Sequence, residues 1–337
     1  MTRYPPPTLL GNPPSARWLV AVISALLLSG CQPVQRADDE VNLIAKIYVT
    51  QGQMFTESGE LDEAIRRFDM ALEYNPRMIE ARIGLGDVHE IRGDPAKAAE
   101  QYAEARKIDP RNFKATYKLA LMYQLLNRVR ESINLYLEAL TIDPYNFDAN
   151  HNLATAYLQT GQPQLGVVYA EEAVNLKPAS QEAHANLGSV YSALGESESA
   201  VKAYKSALEL GDAAAPIEIN LATALVKAGK AEEARQRLLQ LVETDPRYDY
   251  WERLGYASFK LGLYQESLRA YVRGLKIKPE DPPCLNGIGV NLMTIYIGTE
   301  RKDIRLRNRA IEYWRRSIKS DPKQPRIIDL VSRYRKL

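Results

Sequence analysis

A recurrence of 34 residues governs what this chain can become. Between Gln181 and Leu210 the sequence QEAHANLGSVYSALGESESAVKAYKSALEL holds two amphipathic helical patterns separated by Gly195, and its small and large residues repeat at that interval along the chain. Leu187, Gly188, Tyr191 and Leu194 fall at helical spacing, and so do Ala200, Tyr204, Ala207 and Leu208. Neither helix can bury its apolar stripe alone. A period of this length therefore predicts one helix-turn-helix unit stacked many times, with function on the faces of the stack.

The columns of the repeat sharpen this. Position 8 carries Gly52, Gly86, Ala120, Ala154, Gly188, Ala222, Gly255 and Gly289, so nothing larger than Ala stands where two helix backbones must approach closely. Tyr102, Tyr136, Tyr204 and Tyr271 share a second column, and Tyr123, Tyr157 and Tyr191 a third. Pro76, Pro110, Pro144 and Pro178 are 34 apart and Pro246 returns on schedule, each ending one unit's second helix. Gly195 supplies a positive φ between the two helices of its unit.

Leu and Gly at positions 7 and 8, Tyr at 11, Gly at 15, Ala at 20 and 27 and Pro at 32 resemble the tetratricopeptide repeat family. The resemblance covers roughly residues 45 to 322. It implies an all-α, right-handed superhelical solenoid of about eight helix-turn-helix units. The expected organisation is a leader over 1–30, a polar tether over 31–42, the array over 43–322 and a capping helix over 323–337. In the capping segment Ile327, Leu330, Val331, Tyr334 and Leu337 share one face. In the eighth unit about nine extra residues separate Gly289 from Ala310 relative to the pattern. That insertion, near 298–309, fits either a longer second helix or a basic loop.

Residues 1–30 read as a targeting segment: Arg3 and Arg17 give a basic start and Trp18–Leu28 is an apolar run too short to span a bilayer. The ending Leu28-Ser29-Gly30-Cys31 resembles the bacterial lipoprotein lipobox. It implies acylation of Cys31, a membrane anchor and a place on the periplasmic side of a bacterial envelope. Gln32 stands where an Asp would retain the protein at the inner membrane, so the analogy favours the outer membrane. With Cys31 acylated, Cys284 has no disulfide partner and reads as a small buried hydrophobe.

Charge narrows the partners. From Cys31 onward 42 basic and 42 acidic residues balance, which argues against general nucleic-acid binding. The balance hides an asymmetry, since residues 301–337 hold 13 Lys and Arg against 4 Asp and Glu. No Gly-rich phosphate loop, nucleophile elbow or paired-acid motif is visible, so neither an enzyme nor a cofactor is expected. His89, His151 and His184 occupy three different columns, and no metal site is expected from them.

The candidate site is column 6, which faces the concave side in this repeat family. It reads Lys118, Asn152, Asn186, Asn220 and Arg253 through units three to seven. A primary amide offers a donor and an acceptor side by side, which suits the backbone of an extended chain. Asn152-Leu153-Ala154, Asn186-Leu187-Gly188 and Asn220-Leu221-Ala222 look like elements of the superhelix of O-linked N-acetylglucosamine transferases, where asparagines hold substrate backbone. No glycosyltransferase domain follows them, so transferase activity is not implied. The same asparagines also fit a purely structural role, as small polar groups facing water or bonding between neighbouring helices. Lys118 and Arg253 stand at either end, placed to grip carboxylates. The expected function is a membrane-anchored scaffold or adaptor that binds an extended or helical segment of another envelope protein. The alternative is a carrier or chaperone for an anionic lipid or glycan component, bound through the basic C-terminal end.

Overall fold

The computed structural model describes residues 33–212 and 214–335. Among them are seventeen α-helices and no strands, arranged as eight hairpins and a final helix. Contacts group the chain into two compact units, residues 1–109 and 110–337.

The N-terminal unit holds two hairpins, α1 (Pro33–Glu57) with α2 (Leu61–Tyr74) and α3 (Ile79–Ile91) with α4 (Pro95–Ile108). Residues 33–42, expected within a polar tether, are instead the start of α1. Pro33 has the φ that a first helical turn requires, and the Asn75 amide donates to Asn42 Oδ1 at 2.7 Å, tying the early part of α1 to the end of α2. Cys31 and the apolar run before it lie outside the described residues.

The C-terminal unit continues with α5 (Phe113–Leu125), α6 (Val129–Ile142), α7 (Phe147–Gln159), α8 (Pro163–Leu176), α9 (Gln181–Leu194) and α10 (Ser197–Leu210). It is completed by α11 (Ala215–Lys227), α12 (Ala231–Thr244), α13 (Tyr248–Lys260), α14 (Tyr264–Ile277), α15 (Pro282–Gly298), α16 (Ile304–Ser320) and α17 (Pro325–Arg335). Within each unit every helix packs on the next, and the first helices of adjacent hairpins also touch, forming an inner row. That is a solenoid of short-range contacts.

Local signals set the boundaries. Asn112, Asn146 and Ser180 stand before α5, α7 and α9, and their side chains accept from the backbone N–H of Ala115, Ala149 and Ala183. Gly195 closes α9 at φ 83°, and in the third hairpin Asn127 takes the same left-handed role at φ 60°.

The glycines of column 8 are explained by aromatic rings from the partner helix. A Cβ at Gly188 would lie 2.7 Å from Tyr204 Cδ1, one at Gly86 2.5 Å from Tyr102 Cε1, and one at Gly289 2.3 Å from Trp314 Nε1. These rings and Phe68 are almost fully buried. Each stabilises its hairpin by about 1.5–3 kcal/mol of apolar burial. At the far end α17 lays Ile327, Leu330, Val331 and Tyr334 on the cluster formed by Tyr271, Ile288, Leu292 and Trp314. Gln324, just before α17, donates to Ser317 O and Asp321 O and accepts from the Asn286 amide. The eighth hairpin differs from the others in length. The insertion lengthens both helices and the turn between them: α15 and α16 are both 17 residues long, against 13 or 14 for the helices of the other hairpins in this unit, and the turn spans 299–303 where the third hairpin's spans 126–128.

Candidate functional site: the inner row of helices

Column 6 lies along the inner row of the C-terminal unit, on α5, α7, α9, α11 and α13, and its five residues differ in what they are free to do. Asn152 donates one amide hydrogen to the Tyr117 hydroxyl at 3.0 Å. Asn186 donates to His151 O at 3.0 Å and to Thr155 Oγ1 at 3.2 Å, which engages both of its amide hydrogens. Each bond joins the first helix of one hairpin to the first helix of the hairpin before it. The separation is 35 residues for both Tyr117–Asn152 and His151–Asn186, one more than the repeat. Position 6 therefore reaches position 5 of the preceding hairpin. Position 5 before Asn220 is Ala185, and Asn220 is exposed.

The amides of Asn152 and Asn186 are thus held in fixed orientations by their neighbours, while their oxygens accept no hydrogen bond among the described residues. A row of oriented carbonyl acceptors is suited to peptide N–H donors, and its orientation costs no entropy at binding. Lys118 is half-buried on α5. Arg253 on α13 is paired with Glu252 at 3.2 Å, and burial raises the Glu252 carboxyl above its ordinary range. A guest carboxylate reaching Arg253 competes with that neighbour.

Aromatic groups flank the row. Phe113 stacks on Tyr117 with ring centres 5.7 Å apart, Phe147 on His151 at 5.9 Å, and Lys177 Nζ sits 4.0 Å above the Phe147 ring. Burial lowers the His151 pKa, with Glu182 and Asp148 opposing it, so the ring is neutral at pH 7. Tyr117, His151 and Thr155 hold these amides, and column 6 alone does not announce them. Tyr117 and His151 stand 35 positions before an asparagine, and Thr155 stands 31 before Asn186.

Two further titratable groups are buried in the packing. Glu218 on α11 is 2% exposed and takes a two-pronged ion pair from Arg237 on α12, one contact being 2.7 Å. Cys284 is fully buried, and burial pushes its thiol well up, away from nucleophilic reactivity. His151 and His184 lie in the C-terminal unit and His89 in the N-terminal one. No group of three or more His, Cys, Asp or Glu among the described residues is placed to hold a metal.

Comparison with known proteins agrees with this architecture. Tetratricopeptide repeat profiles match residues 49–113, 92–147, 135–166, 181–210 and 219–282, more than half of the chain. Among solved structures, PilF of Pseudomonas aeruginosa is similar at 22% identity over 64% of this chain and 96% of that one, with a TM-score of 0.53. PilW, a widely conserved type IV pilus biogenesis factor, is similar at 20% identity over 60% and 94%, with a TM-score of 0.51. A tetratricopeptide repeat protein from Parabacteroides merdae is 13% identical over 70% and 93%, with a TM-score of 0.53. At these identities the likeness is one of fold. No curated protein matches the chain. Eight hairpins built on a 34-residue period, the small residue of each first helix seated under its partner helix, and the matched profiles together place this chain in the tetratricopeptide repeat family.

Proposed function

We propose that the chain is an interaction scaffold whose inner row in the C-terminal unit takes a segment of another protein. The observation that carries this reading is the pair of amides at Asn152 and Asn186, fixed by neighbouring helices with their oxygens unengaged. Peptide N–H groups of the guest donate to those oxygens, and Asn220 offers both its donor and its acceptor. Between the charged ends, the inner-row helices carry the small residues Thr155, Ala185 and Thr223 near the asparagines in sequence. Lys118 and Arg253 bound this uncharged stretch and select for acidic groups on the guest.

The envelope setting rests on the Leu28-Ser29-Gly30-Cys31 sequence. Acyl chains on Cys31 would hold the scaffold at a membrane, the outer one in preference, since each buried methylene contributes about 0.8 kcal/mol. A role in envelope assembly fits that setting. Binding by the groove involves no chemical step and asks nothing of a cofactor.

The test replaces Asn152, Asn186 and Asn220 together by Ala, with a photocrosslinking residue at Gln159 to capture partners in envelope fractions. Capture of the same species is expected to drop at least about tenfold, from the loss of two or three hydrogen bonds. Undiminished capture with unchanged helicity rejects the groove.

A further inference from the structure

We propose that the tip of the eighth hairpin is a second contact surface, one that docks on an anionic lipid bilayer. Three features converge there. Both α15 and α16 are extended by three to four residues beyond the other helices of the unit, so the turn between them stands about one helical turn, roughly 5 Å, past its neighbours. The turn carries exposed isoleucines at its two shoulders, Ile297 at 45% and Ile304 at 52% exposure. Around them stand Arg301, Lys302, Arg305, Arg307 and Arg309 against only Glu300 and Asp303, a net charge of +3 over 297–309 in a chain that is otherwise close to neutral.

The turn itself departs from the rest of the array. Six of the other hairpins turn through a glycine at φ 70–83° and the third through Asn127, whereas here two successive non-glycine residues, Glu300 at φ 55° and Arg301 at φ 63°, adopt the left-handed conformation. Two residues in that region are a conformational cost that the core does not require. They keep two long charged side chains at the apex where glycine would remove them. The ion pairs Lys302–Glu300 and Arg305–Asp303 are solvent-exposed, with Lys302 and Arg305 side chains 77% and 87% accessible, so they yield readily to headgroup phosphates.

A small apolar apex ringed by cations has the chemistry of a peripheral bilayer contact. Isoleucines enter the interfacial zone while arginine and lysine remain at phosphate level. A folded acidic partner would meet the same charge, but it has no use for two isolated isoleucines at a protruding point. No helix among the described residues is long and apolar enough to cross a membrane, so this contact lies on the surface.

The experiment uses the full chain bearing Cys31→Ser, which removes the acylation point. Co-sedimentation is measured with vesicles of phosphatidylcholine alone and with phosphatidylglycerol added. Binding is expected on the anionic vesicles, to fall with added salt, and to weaken by at least about tenfold in the Arg301→Gln/Lys302→Gln/Arg305→Gln/Arg307→Gln variant. Ile297→Ser/Ile304→Ser, both at exposed positions, is expected to weaken it without altering its salt dependence. The three-asparagine variant of the inner row serves as a control and is expected to bind as the parent does. Equal binding to neutral and anionic vesicles, full binding by the four-glutamine variant, or retention on polyglutamate with none on vesicles would each overturn the proposal.

Discussion

Replacing Gly188 by Ala tests the packing rule on which every hairpin is built. The added methyl carbon would sit 2.7 Å from both Cδ1 and Cε1 of Tyr204 and 3.0 Å from Cγ. Ordinary carbon contacts lie near 3.5–4.0 Å, so the ring must retreat by about 0.8 Å or more. Tyr204 is 2% exposed, and its hydroxyl shares hydrogen bonds with Ser189 Oγ at 3.1 Å and Ser192 Oγ at 3.5 Å, so it has little room to move. Overpacking of this kind costs about 1–3 kcal/mol, while the better helix propensity of Ala returns about 1 kcal/mol. The expected net loss is therefore up to about 2 kcal/mol, read as a lowered midpoint in urea by circular dichroism. The third hairpin holds Ala120 and Tyr136 at the same two positions, both fully buried, so the pairing itself is tolerated. What Gly188→Ala measures is the cost of re-spacing a hairpin already closed on glycine. The sixth hairpin supplies the control, with Ala222 and Leu238 at those positions. In a Tyr204→Leu background the ring is gone, and Gly188→Ala is expected to become neutral or stabilising by up to about 1 kcal/mol. A sign reversal with coupling above about 1 kcal/mol is the signature. If Gly188→Ala stabilises the parent chain, or if the two substitutions are additive, the ring does not explain the glycine and the reasoning fails.

Two other perturbations follow from the buried polar groups. Arg237→Ala strands the Glu218 carboxylate, 2% exposed, without its partner; the Arg237 side chain is itself 37% accessible, which tempers the cost to about 2–3 kcal/mol, and the urea midpoint should fall accordingly. An unchanged midpoint would show that water replaces the guanidinium. Burial holds His151 below its ordinary pKa of 6.5, so as pH falls through 6.5 the unfolded chain takes up the proton first and stability is lost; His151→Gln should flatten the decline in urea midpoint between pH 7.5 and 5.5 relative to the parent. An equal decline in both chains would place the titration elsewhere.

Much of the fold was legible because a period of 34 is a strong constraint. Column 8 announced close backbones, and the tyrosine column named the rings that close over them. What periodicity conceals is anything that crosses between hairpins out of step with it. The bonds of Asn152 to Tyr117 and of Asn186 to His151 run 35 residues back, so a column-by-column reading places the partners in separate columns and sees no pair. Glu218 and Arg237 form an ion pair within one hairpin at positions where the second hairpin holds Arg82 and Gln101, so the column alone does not announce the charge pair. The start of α1 was hidden for another reason: residues 33–42 are mostly polar and include Pro33, and the Asn42–Asn75 hydrogen bond there is a tertiary contact. In the eighth hairpin the added residues are shared by α15, α16 and the turn between them, a division that no column reports.

That division has a consequence for how such arrays diversify. Because growth on one arm was matched on the other, Trp314 still meets Gly289 as the tyrosines meet their glycines, and the cap still closes over the last layer. A stack of this kind can sprout an outward prong from any single layer, one helical turn at a time, while the layers on either side remain in register. The novelty is confined to the rim, and the interior need never be redesigned to accommodate it.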